Sequence, residues 1–181
     1  MVSWFRFHGS CLWNLNLETT VLHFCSFDFN YFNYELCIMS NELNQPRGLR
    51  NNNPLNIRRS GDKWQGLRAL QEDREFFQFS GMEWGWRATF VILCKTYYGR
   101  YKLRTIRDIV SRWAPANENN TAAYIRHVSD YTGIGPDRVL ASPQERPTDW
   151  LLIGYAMAVV ENGKALPAVP MLKGFSLALS S

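Results

Sequence analysis

The chain has 181 residues, 46% of them hydrophobic and 20% charged, with a formal net charge of +4. That is enough apolar chain for one domain with a real core, and too much for a disordered polypeptide. The mild positive charge fits anionic partners such as nucleic acid or cell-wall polymers without choosing among them.

In chain order, Met1 to Ile38 stands apart. It holds ten of the 26 aromatic residues and three of the four cysteines (Cys11, Cys25, Cys37), but Arg6 is its only Lys or Arg. Asn14, Asn16 and Glu18 interrupt the compact apolar run that a signal peptide needs, and no small-residue cleavage site follows. Asp28, Asn30 and Asn33 break it as a membrane span of about 20 apolar residues. Residues 1–38 are therefore expected to be translated leader sequence ahead of a true start at Met39.

Next comes Arg47-Gly48-Leu49-Arg50-Asn51-Asn52-Asn53-Pro54-Leu55-Asn56-Ile57-Arg58-Arg59. Asparagines bond to nearby backbone and tolerate left-handed conformations, and Pro54 pushes Asn53 to an extended one, so the stretch predicts a turn. Leu55 and Ile57 flank Asn56 with period two, which predicts a short extended segment. The amides of Asn51, Asn52, Asn53 and Asn56 could grip sugar hydroxyls and acetamido groups; equally, they could satisfy only their own loop. Ser60 to Lys63 reads as another turn. Arg74 to Ser80, with Phe76, Phe77 and Phe79, reads as a strand able to pair with Leu55–Arg59 in a small ribbon.

Helices follow. Met82 to Tyr98 carries Trp86, Phe90, Leu93, Cys94 and Tyr97 at helical spacing and predicts a central buried helix. Thr105-x-x-Asp108 resembles a capping box opening a helix through Ile106, Ile109, Val110 and Trp113, stopped by Pro115. Asn119-Asn120-Thr121 caps a helix burying Tyr124, Ile125, Val128 and Tyr131 up to Gly133. Thr148 is expected to cap a helix through Leu151, Leu152, Tyr155 and Val159, ending at Gly163. Residues 164–181, with two prolines and no acid, read as a loosely packed tail.

Without the leader, Cys94 is a small buried hydrophobe and His127 a half-exposed helix residue. No metal-ligand spacing and no phosphate loop is present, so neither a metal nor any other cofactor is expected.

The Asn-rich stretch resembles the R-G-[IL]-R-N-N-N-P-x-N-I-R opening of a family of phage and prophage proteins, described as virion structural or as lysozyme-like and murein-degrading. The similarity continues through Trp64-Gln65-Gly66, Asp73-x-x-Phe76-x-x-Phe79, Gly85-x-Arg87-Ala88 and Arg112-Trp113-Ala114-Pro115-x-x-Glu118-Asn119-x-Thr121-x-x-Tyr124. It spans roughly Arg47 to Gly163. It implies an α+β, mainly α, lysozyme-like single domain over residues 39–163, with a small β-ribbon and four or more helices. The implied activity is cleavage of murein (peptidoglycan) glycan strands, as a lysozyme or lytic transglycosylase. The implied setting is the virion or the host cytoplasm, with action at the cell wall and other virion proteins as further partners.

More distantly, Asn52-Asn53-Pro54-Leu55-Asn56-Ile57 resembles a segment of bacterial glucosaminidases whose catalytic Glu lies upstream on a helix. Here the only carboxylate between Met39 and that segment is Glu42, in a polar stretch without helical pattern. The departure leaves open a non-catalytic virion structural or murein-binding protein. Nucleic-acid binding, resting on Arg47, Arg50, Arg58 and Arg59 without an accompanying motif, is the weakest class.

A glycan-cleaving enzyme needs a carboxyl group to donate a proton. Glu118 is the first candidate, entering a helix beside Trp113, whose wall would favour the protonated form; its plainer role is to complement the helix N-terminus. Asp73 is the second, with orientation of a nearby arginine as the alternative. Arg50, Arg58, Trp64, Trp113 and Tyr124 join the four asparagines as candidate sugar contacts, against ordinary core packing for Trp113 and Tyr124. Glu161, in an unfavourable dipole position just before a helix end, has no role assigned.

Overall fold

The chain divides into a unit Met1–Asn44 and a unit Gln45–Ser181. The computed structural model describes residues 45–117 and 120–180; the expectations for residues 1–38 and for the start at Met39 lie outside them.

The described unit is mainly helical. A single turn, α1 (Arg47–Arg50), leads into the Asn-rich turn. The long central helix is α2 (Met82–Phe90), which continues without a break as a π-helical segment, Val91–Arg100. Then come α3 (Ile106–Trp113), α4 (Thr121–Thr132), α5 (Pro147–Asn162) and α6 (Ala168–Leu179). Among these residues no helix is long and apolar enough to cross a membrane.

Local chemistry accounts for most boundaries. Thr105 and Asp108 form the expected reciprocal capping box at the start of α3. The Asn120 side chain accepts from the Ala123 N–H at 3.1 Å and caps α4. Gly133 and Gly163, both left-handed (φ 67° and 66°), end α4 and α5. Thr148 is not the cap of α5: the helix begins one residue earlier at Pro147, whose fixed φ and missing N–H suit a first helical position.

The ribbon is reduced to isolated antiparallel bridges, Arg58↔Phe76 and Leu67↔Phe79. Two asparagines explain why. The buried Asn53 amide donates to the Phe77 carbonyl and accepts from the Ile57 N–H, each at 2.9 Å, occupying both groups of one ladder bond, while the Phe77 N–H still donates to the Ile57 carbonyl at 3.0 Å. Asn56 sits at φ 49°, which a continuous strand does not tolerate.

The core gathers Leu55 and Phe79 from the turn region, Trp86, Phe90 and Leu93 from the central helix, Ile106, Ile109 and Val110 from α3, and Trp150, Ile153 and Met157 from α5. Cys94 is buried among them, and burial pushes its thiol pKa up to about 12. The Asn-rich turn docks on α2 at Gly85: a Cβ there would strike the Asn52 carbonyl oxygen, a backbone atom that cannot swing aside. Residues 168–179 are not a loose tail. They form a helix with Met171, Phe175 and Ala178 buried, and Phe175 meets Phe90 edge-on at 4.9 Å. His127 is exposed on α4, stacked 6.4 Å from Tyr131.

Candidate functional site

The Asn-rich turn spends most of its amides inward. Asn53 has no exposed surface, and its Oδ1 accepts from the Ile57 N–H at 2.9 Å. The Asn51 amide donates to Asp73 at 2.7 Å and accepts from Gln78 at 3.1 Å. The Asn52 amide donates to the Phe79 carbonyl at 3.0 Å. The turn is thus pinned to the 73–79 segment by its own side chains, which is the satisfied-loop alternative for these three residues.

Asp73 anchors that arrangement. Arg47 grips it in a fork, Nε to Oδ2 and Nη2 to Oδ1, each at 2.7 Å. The N–H groups of Glu75 and Phe76 donate to Oδ1 at 2.9 and 3.1 Å. The Arg47 bonds, with Asn51 and the two N–H groups adding to them against the cost of burial, hold the carboxyl far below the usual carboxylate range. Asp73 is ionised at neutral pH with no proton to donate, and it orients an arginine of the motif. Glu118 lies outside the described residues.

Asn56 differs from its neighbours. Its left-handed backbone turns the side chain toward the end of α5, and Nδ2 lies 3.3 Å from Oε2 of Glu161. Glu161 is the carboxylate around which the candidate site assembles. Trp113, the last residue of α3, donates Nε1–H to its Oε1 at 2.9 Å. Tyr124 of α4 donates its hydroxyl to the same oxygen at 3.1 Å. Burial first, then the Glu161 charge and hydrogen bond, push the Tyr124 pKa far up, so this hydroxyl stays a donor. The next residue, buried Asn162, donates to the Pro54 carbonyl at 2.8 Å and ties the helix end to the turn.

A pocket of about 350 Å³ opens at this junction, lined by Leu55, Asn56, Ile57, Arg58, Phe76, Tyr97, Trp113 and Glu161. Of the sequence-derived sugar contacts, Asn56, Arg58 and Trp113 line it, and Tyr124 supports Glu161 from the side. Arg50 is exposed, and its carbonyl accepts from Arg68 at 3.1 Å. Trp64 packs partly buried against the core and is not among the pocket's lining residues. A carboxylate, an amide, a guanidinium and aromatic faces around one cavity can bind a polar ring and act on its substituents.

The chain is 46% identical over 120 residues to Protein P5 of Pseudoalteromonas phage PM2, an alignment covering 65% of the chain and 71% of that protein. The chain belongs to the family of that phage protein. Membership of a phage protein family agrees with the expected phage origin. No protein-family profile matches the chain.

Glu161 is what sequence reasoning missed in this P5-family chain. Its one local signal was a carboxylate in the last turn of a helix, against the helix dipole, which calls for compensation from elsewhere.

Proposed function

We propose that the protein acts on the glycan strands of murein, cleaving them in the manner of a lysozyme or lytic transglycosylase, with Glu161 as the reacting carboxyl. The observation that carries this reading is the fixing of Glu161 at the pocket by donors from three separate segments. Trp113 and Tyr124 occupy Oε1 and set the side-chain rotamer. Oε2 keeps only the longer contact to Asn56, and is the oxygen through which a proton would pass to a glycosidic oxygen and back. Among the pocket-lining residues Glu161 is the single carboxylate. That favours a transglycosylase-like reaction, in which one group serves first as acid and then as base, over a two-carboxylate hydrolase.

Glu161→Gln preserves shape but removes the acid, so turnover of purified murein should fall by about 100-fold or more while folding persists. Mass spectrometry of the soluble fragments distinguishes anhydro-muramic ends, expected here, from reducing ends. Equal fragmentation by wild type and Glu161→Gln would sink the assignment, and Glu118→Gln in the same assay would then test the carboxyl that the sequence favoured.

A second reading, a non-catalytic phage virion structural or murein-binding protein, draws on the same lone carboxylate and on the inward use of Asn51, Asn52 and Asn53. Murein that is bound but never fragmented by the wild type would favour it.

A further inference from the structure

One arginine lines the pocket and two more lie behind its lining residues, Arg112 within hydrogen-bonding reach of Tyr97. On the turn side, Arg58 lines the cavity with its guanidinium 5.6 Å from the Phe76 ring centroid. On the helix side, Arg112 precedes the lining residue Trp113 and lies 4.7 Å over the Tyr101 ring. Arg100 lies over the same ring at 5.8 Å. Tyr101 in turn is 6.2 Å from Tyr97, which lines the pocket. Burial raises the Tyr97 pKa, and the Arg112 charge beside it opposes that rise.

Some arginines of the fold are neutralised: Arg47 by Asp73 and Glu75, Arg107 by Asp137, Arg138 by Asp149. Arg58, Arg100 and Arg112, like several arginines elsewhere, form no ion pair among the described residues, but these three stand in or beside the pocket lining. All three are exposed, held by aromatic faces rather than by acids. A guanidinium stacked on a ring keeps its hydrogen-bonding edge free for a planar anion such as a carboxylate.

We infer that the pocket selects carboxylate-bearing sugars, with Arg58 and Arg112 as the recognition residues and Arg100 adding to the field. This deepens the murein reading and rests on it: the unit seated at the rim is a muramyl residue, whose lactyl group or attached peptide carries the anion, rather than a neutral N-acetylglucosamine.

The test is calorimetric binding by the full chain of two oligosaccharides of equal length. One is a neutral N-acetylglucosamine oligomer; the other alternates N-acetylglucosamine with muramic acid and bears free lactyl carboxylates. Wild type should prefer the second by about 5- to 10-fold at low salt, the range that two exposed charge contacts supply. The preference should shrink as added salt screens the rim. Arg58→Gln and Arg112→Gln should each reduce it with unchanged thermal midpoint, whereas Arg126→Gln on α4 should not. Equal binding of both oligomers, or a preference indifferent to Arg58 and Arg112, overturns the anion subsite and leaves the murein reading standing. Binding of neither oligomer, with no fragmentation of murein, overturns both.

Discussion

Asp73→Asn separates a structural from a chemical role for the motif's second carboxylate. Asn keeps one carbonyl oxygen for the Glu75 and Phe76 N–H groups, but presents an NH₂ where Arg47 and Asn51 donate. About two charge-assisted bonds are lost and donors face donors. Charge-assisted bonds contribute roughly 1.5–3 kcal/mol each, but they are not additive, and Arg47 is 38% exposed. A net loss of about 2 kcal/mol at neutral pH follows, or about 6–8 °C in thermal midpoint for a unit of this size. The pH dependence has a definite sign. The folded-state pKa is depressed, so the stabilisation is complete above the unfolded value of about 3.9 and is lost as pH falls toward the much lower folded value. Thermal melts should therefore show the wild-type advantage at pH 5 to 7 and its decline below about pH 4. Murein turnover per folded molecule should be unchanged. An equal midpoint at pH 7, or a gap that does not narrow in acid, would refute the reasoning.

Gly85→Ala should push the Asn52 carbonyl off α2 and cost about 3 kcal/mol, read as a lowered midpoint and loss of murein binding; a wild-type melt would contradict the close approach. Phe175→Ala should cost about 3 kcal/mol, since α6 helps to build the core, whereas an unchanged midpoint would restore the loose-tail expectation. Tyr124→Phe removes one donor from Glu161 Oε1 and should lower murein turnover by about 10-fold with a midpoint shift of only a few degrees. Full activity in that variant would show that Trp113 alone suffices to position the carboxylate.

The helices were legible wherever a local signal marks them: the Thr105–Asp108 box, the glycines at 133 and 163, and the buried stripe of Ile106, Ile109 and Val110. The last helix was not. Pro167 and Pro170 read as breakers, but Pro170 falls in the first turn of α6, where no intrahelical partner is needed for its missing N–H. The ribbon failed for a different reason. Alternation of Leu55 and Ile57 is a true two-residue pattern, yet the Asn53 side chain takes both groups of the ladder bond between Ile57 N–H and Phe77 carbonyl, and Asn56 breaks the extended backbone.

The site shows where one-dimensional reading ends. The amides invited a sugar-binding role as a group, but whether an amide faces solvent or its own backbone depends on partners such as Gln78 and Phe79, 27 residues away. Glu161 draws its donors from 37, 48 and 105 residues away, so no window along the chain contains the constellation. The Trp113 indole donates to Glu161, 48 residues further along the chain, whereas Glu118, its neighbour in sequence, lies outside the described residues. The one trace that Glu161 leaves in the sequence is its placement against the dipole of its own helix. That placement opposes the helix, and it persists here because Trp113, Tyr124 and Asn56 converge on the one side chain that needs them.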